Sequence, residues 1–176
     1  ITFLASANCI LYCGATPEFV DINPVSYTMD LNRLEEKLKN YEKRNVKVKA
    51  VVAVDFAGHP CDWDGLQSLA QKYDLQLVDD ACHALGAKYK GKELCSCEYA
   101  DVLALSFHPV KHITTGEGGA VLSNDATLIE RCYAFHNNGR GRARSGYDFS
   151  YQINGANLRM TEFQATLLLA GMTRVE

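Results

Sequence analysis

The chain has 176 residues, with 18 Lys and Arg against 21 Asp and Glu, a formal net charge of −3 and 47% apolar residues. That balance excludes the excess of basic side chains with which proteins grip nucleic acid, and no run reaches the ~18 apolar residues of a membrane-spanning helix. A chain of this length buries about 70% of its unfolded surface on folding, enough for a core that needs neither disulfides nor a structural metal.

The chain opens at Ile1 in strand-like apolar sequence that takes in Phe3, and its first basic residue is Arg33, so this stretch lacks the basic region of a secretory leader and its start reads as a cut. It closes at Glu176 inside an apolar helical pattern that begins near Thr161 and meets no Gly or Pro stop. Both ends predict an interior piece of a longer protein. Seven cysteines, an odd number scattered through apolar stretches, predict free thiols in a reducing compartment, hence a cytoplasmic protein. Cys95-Ser96-Cys97 lacks the two-residue spacer of a zinc or thioredoxin-type pair, so no metal site is expected.

After the opening strand, helical spacing covers 8–15 and a short strand is expected over 17–22, following the turn at Gly14. Asp30 is placed to cap a helix whose Leu31, Leu34, Leu38 and Tyr41 fall on one face. A β-branched run over 49–54, a helix opened by Asp64 with Leu66, Leu69, Ala70 and Tyr73 inward, and an apolar run over 75–78 make a strand-helix-strand unit. Strands over 102–107 and 120–123 continue the alternation, and a helix over 126–135 follows a cap at Asn124 or Asp125. Strands that are apolar throughout belong to sheets covered on both faces. The fold class expected is therefore α/β, in three layers around a mostly parallel sheet, with chemistry at the carboxyl ends of the strands. Residues 136–155, rich in Gly, Arg and Asn, read as a long functional loop.

Two acids, Asp79 and Asp80, stand at one such strand end and lead into Ala81-Cys82-His83-Ala84. A carboxylate held there can bind a ribose, a metal or a cationic ring nitrogen. The strand over 102–107 runs into Ser106-Phe107-His108-Pro109-Val110-Lys111-His112-Ile113-Thr114-Thr115-Gly116-Glu117-Gly118-Gly119, a lysine between an apolar strand and a glycine-rich turn that lets backbone approach a bulky ligand. A carboxylate for a pyridinium, a lysine for a Schiff base, and a hydroxyl with backbone amides for a phosphate are the protein's share of a pyridoxal 5′-phosphate site. A dinucleotide-binding oxidoreductase would need Gly-x-Gly-x-x-Gly between its first strand and helix, and no such run stands at a strand end.

The lysine block, the Asp-Asp-Ala-Cys-His-Ala block and Gly155-Ala156-Asn157-Leu158-Arg159-Met160 resemble the sugar-nucleotide aminotransferases of the DegT/DnrJ/EryC1/StrS family, and within it the branch of pseudaminic acid synthesis. The resemblance runs from end to end. It implies fold type I of the pyridoxal-phosphate transferases, with residues 1–176 as part of the large domain and with an upstream phosphate-binding segment and a C-terminal small domain outside this chain. It makes Lys111 the Schiff-base lysine and catalytic residue, Asp80 the partner of the pyridinium nitrogen, Ser106 a phosphate ligand, His83 a contact of the phenolic oxygen and Phe3 the aromatic residue stacked on the ring. Asn157 is implied to reach the cofactor phosphate of the neighbouring subunit of a homodimer. The implied reaction moves an amino group from an amino acid, glutamate first, to the C4 keto group of a UDP-linked 4-keto-6-deoxy amino sugar. The alternatives are another nucleotide sugar and a dehydratase, since in some members of the family a His stands in place of the lysine. The spacing from Ser106 puts Lys111 rather than His112 at that position. Arg140, Arg142 and Arg144 are either a solvated basic loop or a grip on the sugar nucleotide's diphosphate.

Overall fold

The structure, a computed structural model, describes residues 2–142 and 150–175. The chain divides into two compact units, Ile1–Leu105 and Ser106–Glu176.

The first unit holds helix α1 (Ala5–Tyr12), helix α2 (Leu31–Lys43), strand β1 (Ala50–Val54), helix α3 (Trp63–Tyr73), strand β2 (Gln76–Asp80), a small antiparallel hairpin of β3 (Lys88–Tyr89) and β4 (Lys92–Glu93), and strand β5 (Val102–Ser106), whose last residue opens the second unit. Strands β1, β2 and β5 are parallel with β2 central: Ala50 through Val54 pair with Gln76 through Asp80, and Val78 through Asp80 pair with Val102 through Ala104. The carboxyl ends therefore lie level, and Asp80 stands between Val54 and Ala104. Alternate residues Val51, Ala53, Leu77, Asp79 and Leu103 are fully buried, whereas Val52, Val54, Val78 and Asp80 on the other face are half-buried. Helix α3 packs on β2 and on α2 and buries Trp63 and Leu66 completely. Gly65 permits that closeness, since a Cβ there would lie 2.1 Å from Leu31 Cδ1. Asp30 caps α2 through the amides of Asn32 and Arg33, as the sequence predicts, and Leu34 and Leu38 face the core.

The second unit holds strand β6 (Gly119–Leu122), helix α4 (Ala126–His136) packed on β6, and helix α5 (Glu162–Met172). Asp125 caps α4 by accepting from the amides of Thr127 and Leu128. Thr161 and Gln164 close a reciprocal capping box on α5.

The class is mixed α/β with a mostly parallel sheet, as expected. Three local expectations are corrected. Among the described residues the opening segment forms no strand: the amides of Ser6, Ala7 and Asn8 turn back to the carbonyls of Phe3 and Leu4, and local bonding of this kind starts a helix rather than a ladder. The strand over 17–22 shrinks to one bridge, Ile22 to Met29. Helix α3 is capped by Asp62, whose carboxylate accepts from Gly65 N, because Trp63 already occupies the first helical turn; Asp64 lies inside that turn. None of the seven cysteines forms a disulfide. Among the described residues no helix is long and apolar enough to cross a membrane.

Candidate active site

In the first unit, Asp80 ends the central strand on the half-buried face. One carboxylate oxygen accepts the Ser6 hydroxyl, and the other accepts the Cys82 amide at 3.3 Å. The carboxylate is thus oriented from two elements, α1 and the turn after β2. Nothing in the sequence singles out Ser6, because its contact spans 74 positions.

His83 follows in that turn and is half-buried, with its ring edge-on to Phe56 at 6.3 Å between centroids. Gly58 lets the segment after β1 approach this backbone. It holds φ at +81°, and a Cβ there would lie 2.9 Å from the His83 carbonyl oxygen. Phe3 precedes α1 and is 77% exposed. It lines an apolar groove of about 710 Å³ with Ile10, Phe19, Leu38, Tyr41 and Val52, a groove that Ser6 also borders and that Asp80 and His83 do not line.

Asp79, beside Asp80 in sequence, points to the opposite face and is buried. It meets Asp55, which follows β1 and is fully buried. Burial pushes the Asp79 carboxyl up to about 9, and the charge of Asp55 adds to the rise. Burial likewise raises Asp55, against the lowering effect of the Cys61 amide that it accepts at 2.8 Å. Asp55 stands at a strand end just as Asp80 does, and that shared position is the signal by which the sequence could have marked it.

In the second unit, the segment after β5 folds back on itself. The Phe107 amide donates to Gly118 O at 2.8 Å, the Thr115 amide to Phe107 O at 3.0 Å, and the Thr114 hydroxyl to the same carbonyl at 3.0 Å. Phe107, Ile113 and Thr115 are buried and anchor the turn, and Gln164 of α5 ties it further by donating to Glu117 O at 2.8 Å. Gly118 is required here, since a Cβ would lie 2.5 Å from Thr115 Oγ1. Lys111 is half-buried within this anchored turn, its amide donating to His108 O at 2.9 Å, whereas His112 is exposed. Ser106 accepts the His108 amide at 3.3 Å through its hydroxyl oxygen. Ser106 and Lys111 are thus bridged by His108, which bonds to both.

Asn157 is exposed on the segment that returns beside α4, where it bridges to Asn137 and where Arg159 donates to Asn137 Oδ1 at 3.0 Å. Gly139 and Gly155 meet backbone to backbone there; a Cβ on Gly139 would lie 1.9 Å from Ile153 O. Arg142 pairs with Glu130 at 3.0 Å and lies over the Tyr133 ring, so its charge already has an internal partner. Arg140 is half-buried, and Arg144 lies outside the described residues.

Each unit therefore gathers part of the expected set: Asp80 and His83 in the first, Ser106 and Lys111 in the second. A strand-end carboxylate oriented by two donors, and a lysine and a hydroxyl on one anchored turn, suit a cationic ring, a carbonyl carbon and a phosphate, the groups that pyridoxal phosphate presents. Among the described residues no cluster of His, Cys, Asp and Glu is arranged to hold a metal ion.

Comparison with known proteins matches residues 1–176 to the model of the DegT/DnrJ/EryC1/StrS aminotransferase family. The chain is 38% identical over 176 residues to a GDP-perosamine synthase of Escherichia coli O157:H7, covering 100% of this chain and 45% of that protein. It is 40% identical over 167 residues to a UDP-4-amino-4,6-dideoxy-N-acetyl-beta-L-altrosamine transaminase of Campylobacter jejuni subsp. jejuni serotype O:23/36 (strain 81-176), covering 95% of this chain and 43% of that protein. Among solved structures, PseC of Helicobacter pylori, an aminotransferase involved in the biosynthesis of pseudoaminic acid, superposes with a TM-score of 0.89 at 34% identity, over 99% of this chain and 44% of that one. The chain spans less than half the length of these relatives.

Proposed function

Because the chain belongs to the DegT/DnrJ/EryC1/StrS aminotransferase family, we propose that the protein it forms part of transfers an amino group from an amino acid, glutamate in our reading, to the C4 keto group of a UDP-linked 4-keto-6-deoxy amino sugar. The family's cofactor is pyridoxal 5′-phosphate. When bound, it supplies an electron sink for the bond broken at the carbon that carries the amino group. The observation that carries the proposal is the half-buried Lys111 held in its anchored turn, five residues after the Ser106 hydroxyl at the strand end.

In this reading the Lys111 amine holds the cofactor covalently and carries the proton to and from the reacting carbon. Asp80 keeps the ring nitrogen protonated with a carboxylate that the Ser6 hydroxyl and the Cys82 amide already aim. Ser106 binds the phosphate, His83 the phenolic oxygen, and Phe3 lies against the ring. Asn157 serves the phosphate of the neighbouring protomer in a homodimer. Residues 1–176 then form part of the large cofactor-binding domain, with an upstream phosphate-binding segment and a C-terminal small domain completing the full-length protein. The spacing from Ser106 puts Lys111 rather than His112 at the Schiff-base position, which favours transamination over the dehydratase alternative, in which a histidine would take the lysine's role.

UDP as the carrier is supported by the transaminase from Campylobacter, and GDP is the competing choice raised by the perosamine synthase. The test is to supply the full-length enzyme with glutamate and either a UDP-linked or a GDP-linked 4-keto-6-deoxy sugar, and to follow 2-oxoglutarate. Turnover on the UDP sugar that is lost in Lys111→Ala supports the proposal. Turnover confined to the GDP sugar overturns the choice of nucleotide, and full turnover by Lys111→Ala overturns the reading itself.

A further inference from the structure

The reaction leaves two buried acids unused. Asp55 is 0% exposed and Asp79 2%, and no basic side chain among the described residues forms an ion pair with either. Asp55 uses one oxygen to accept the Cys61 amide at 2.8 Å, while Asp55 Oδ2 and Asp79 Oδ1 are buried without a donor among the described residues, as is the Trp63 indole N–H without an acceptor. Two carboxylates left in this state would each carry an unsolvated charge beside a like charge, an arrangement that a fold does not retain. Among the groups facing the pair, Cys61 and the Trp63 indole favour a charged Asp55, whereas every neighbour of Asp79 disfavours its charge. Asp80 is a third carboxylate, and Cys61, Cys95 and Cys97 are thiols raised above their ordinary range by burial and by these same acids. A proton between the two carboxyls satisfies both orphaned oxygens and removes one of the two charges.

We propose that Asp55 and Asp79 share a single proton at neutral pH, forming an acid pair that ties the turn after β1 to the end of β2 and so positions Asp80. The tie is continuous in the backbone. The Asp55 amide donates to Asp80 O at 3.2 Å, and the Asp55 carboxylate holds the far end of the same turn at Cys61. Asp79 is the residue immediately before the acid that the Cys82 amide and Ser6 orient from the other face. The pairing holds whether or not Asp80 meets a cofactor ring, so its failure and that of the aminotransferase reading are separate results.

The sign of the pH dependence follows from proton counting. The folded state keeps a proton that an ordinary aspartic acid releases near 3.8, and it keeps it up to about 9. Between those values raising the pH favours unfolding, by up to about tenfold in the unfolding constant per pH unit for one proton. Above that window the pair is doubly charged and its contribution is lost.

The test uses the full-length protein. Infrared spectra with ¹³C-labelled aspartate should show a protonated carboxyl at pH 7 that disappears in Asp79→Asn. The pH slope of stability between 5 and 9 should fall by one proton in Asp79→Asn, where the amide donates in place of the shared proton, and Asp55→Asn should show the same change should the first variant not fold. Exchange of the Cys61 and Cys82 amides should quicken at least tenfold in Asp79→Ala and return to normal in Asp79→Asn. No protonated carboxyl at pH 7, or a slope unchanged in both amide variants, overturns the proposal.

Discussion

Asp80 and Asp79 are adjacent in sequence and take opposite roles because a strand sends neighbouring side chains to opposite faces. Asp80 stays in a half-open position with two polar donors, whereas Asp79 enters the core. If Asp80 keeps a pyridinium protonated, Asp80→Asn keeps the shape and removes the charge, and kcat should fall by about 10²-fold or more while the fold is unchanged; steady-state kinetics beside a thermal melt checks this. Ser6→Ala removes one donor to the same carboxylate. The expected loss is about 1.5–3 kcal/mol of interaction with a charged acceptor, tempered by the partial exposure of the pair, and the measurement is the affinity for pyridoxal phosphate by equilibrium dialysis. At this scale the sequence could be read for residue types at strand ends, Asp80 and Lys111 among them. It could not be read for Ser6 or for the partnership of Asp55 and Asp79, since these arise only when distant segments meet.

The elements were legible where local signals agree. Helix α2 has its cap, its apolar stripe and its polar face in one stretch, and strands β1, β2 and β5 are short apolar runs between polar breaks. The opening segment misleads because apolarity alone does not decide between strand and helix, and its amides bond within the segment instead of to a neighbouring strand. Helix α5 is the element on which the lysine turn leans: Gln164 reaches Glu117, and Gly171 lies against Ile113, where a Cβ would come within 3.1 Å of the Ile113 side chain. Thr161→Ala breaks its capping box and should destabilise the protein by about 1 kcal/mol, as read from denaturant unfolding. Gln164→Ala removes both the box partner and the tie to Glu117, so it should lower activity more than Thr161→Ala at equal loss of stability. Equal effects on activity would mean that the turn is held without α5.

At the scale of the whole molecule, the family match covers all 176 residues, and the chain spans less than half the length of these relatives. The proposed homodimer with a shared site has a direct consequence. Lys111→Ala and Asn157→Ala should each be inactive as homodimers, yet a mixture refolded together should recover about a quarter of wild-type activity, because each mixed dimer rebuilds one complete site. No recovery would show that Asn157 acts within its own subunit or not at all. The central claim is that Lys111 carries the cofactor, and the most direct test is borohydride reduction of the full-length protein with pyridoxal phosphate, followed by peptide mass analysis. A single adduct on the peptide containing Lys111 is the result expected here; an adduct confined to another lysine, or none, would contradict it.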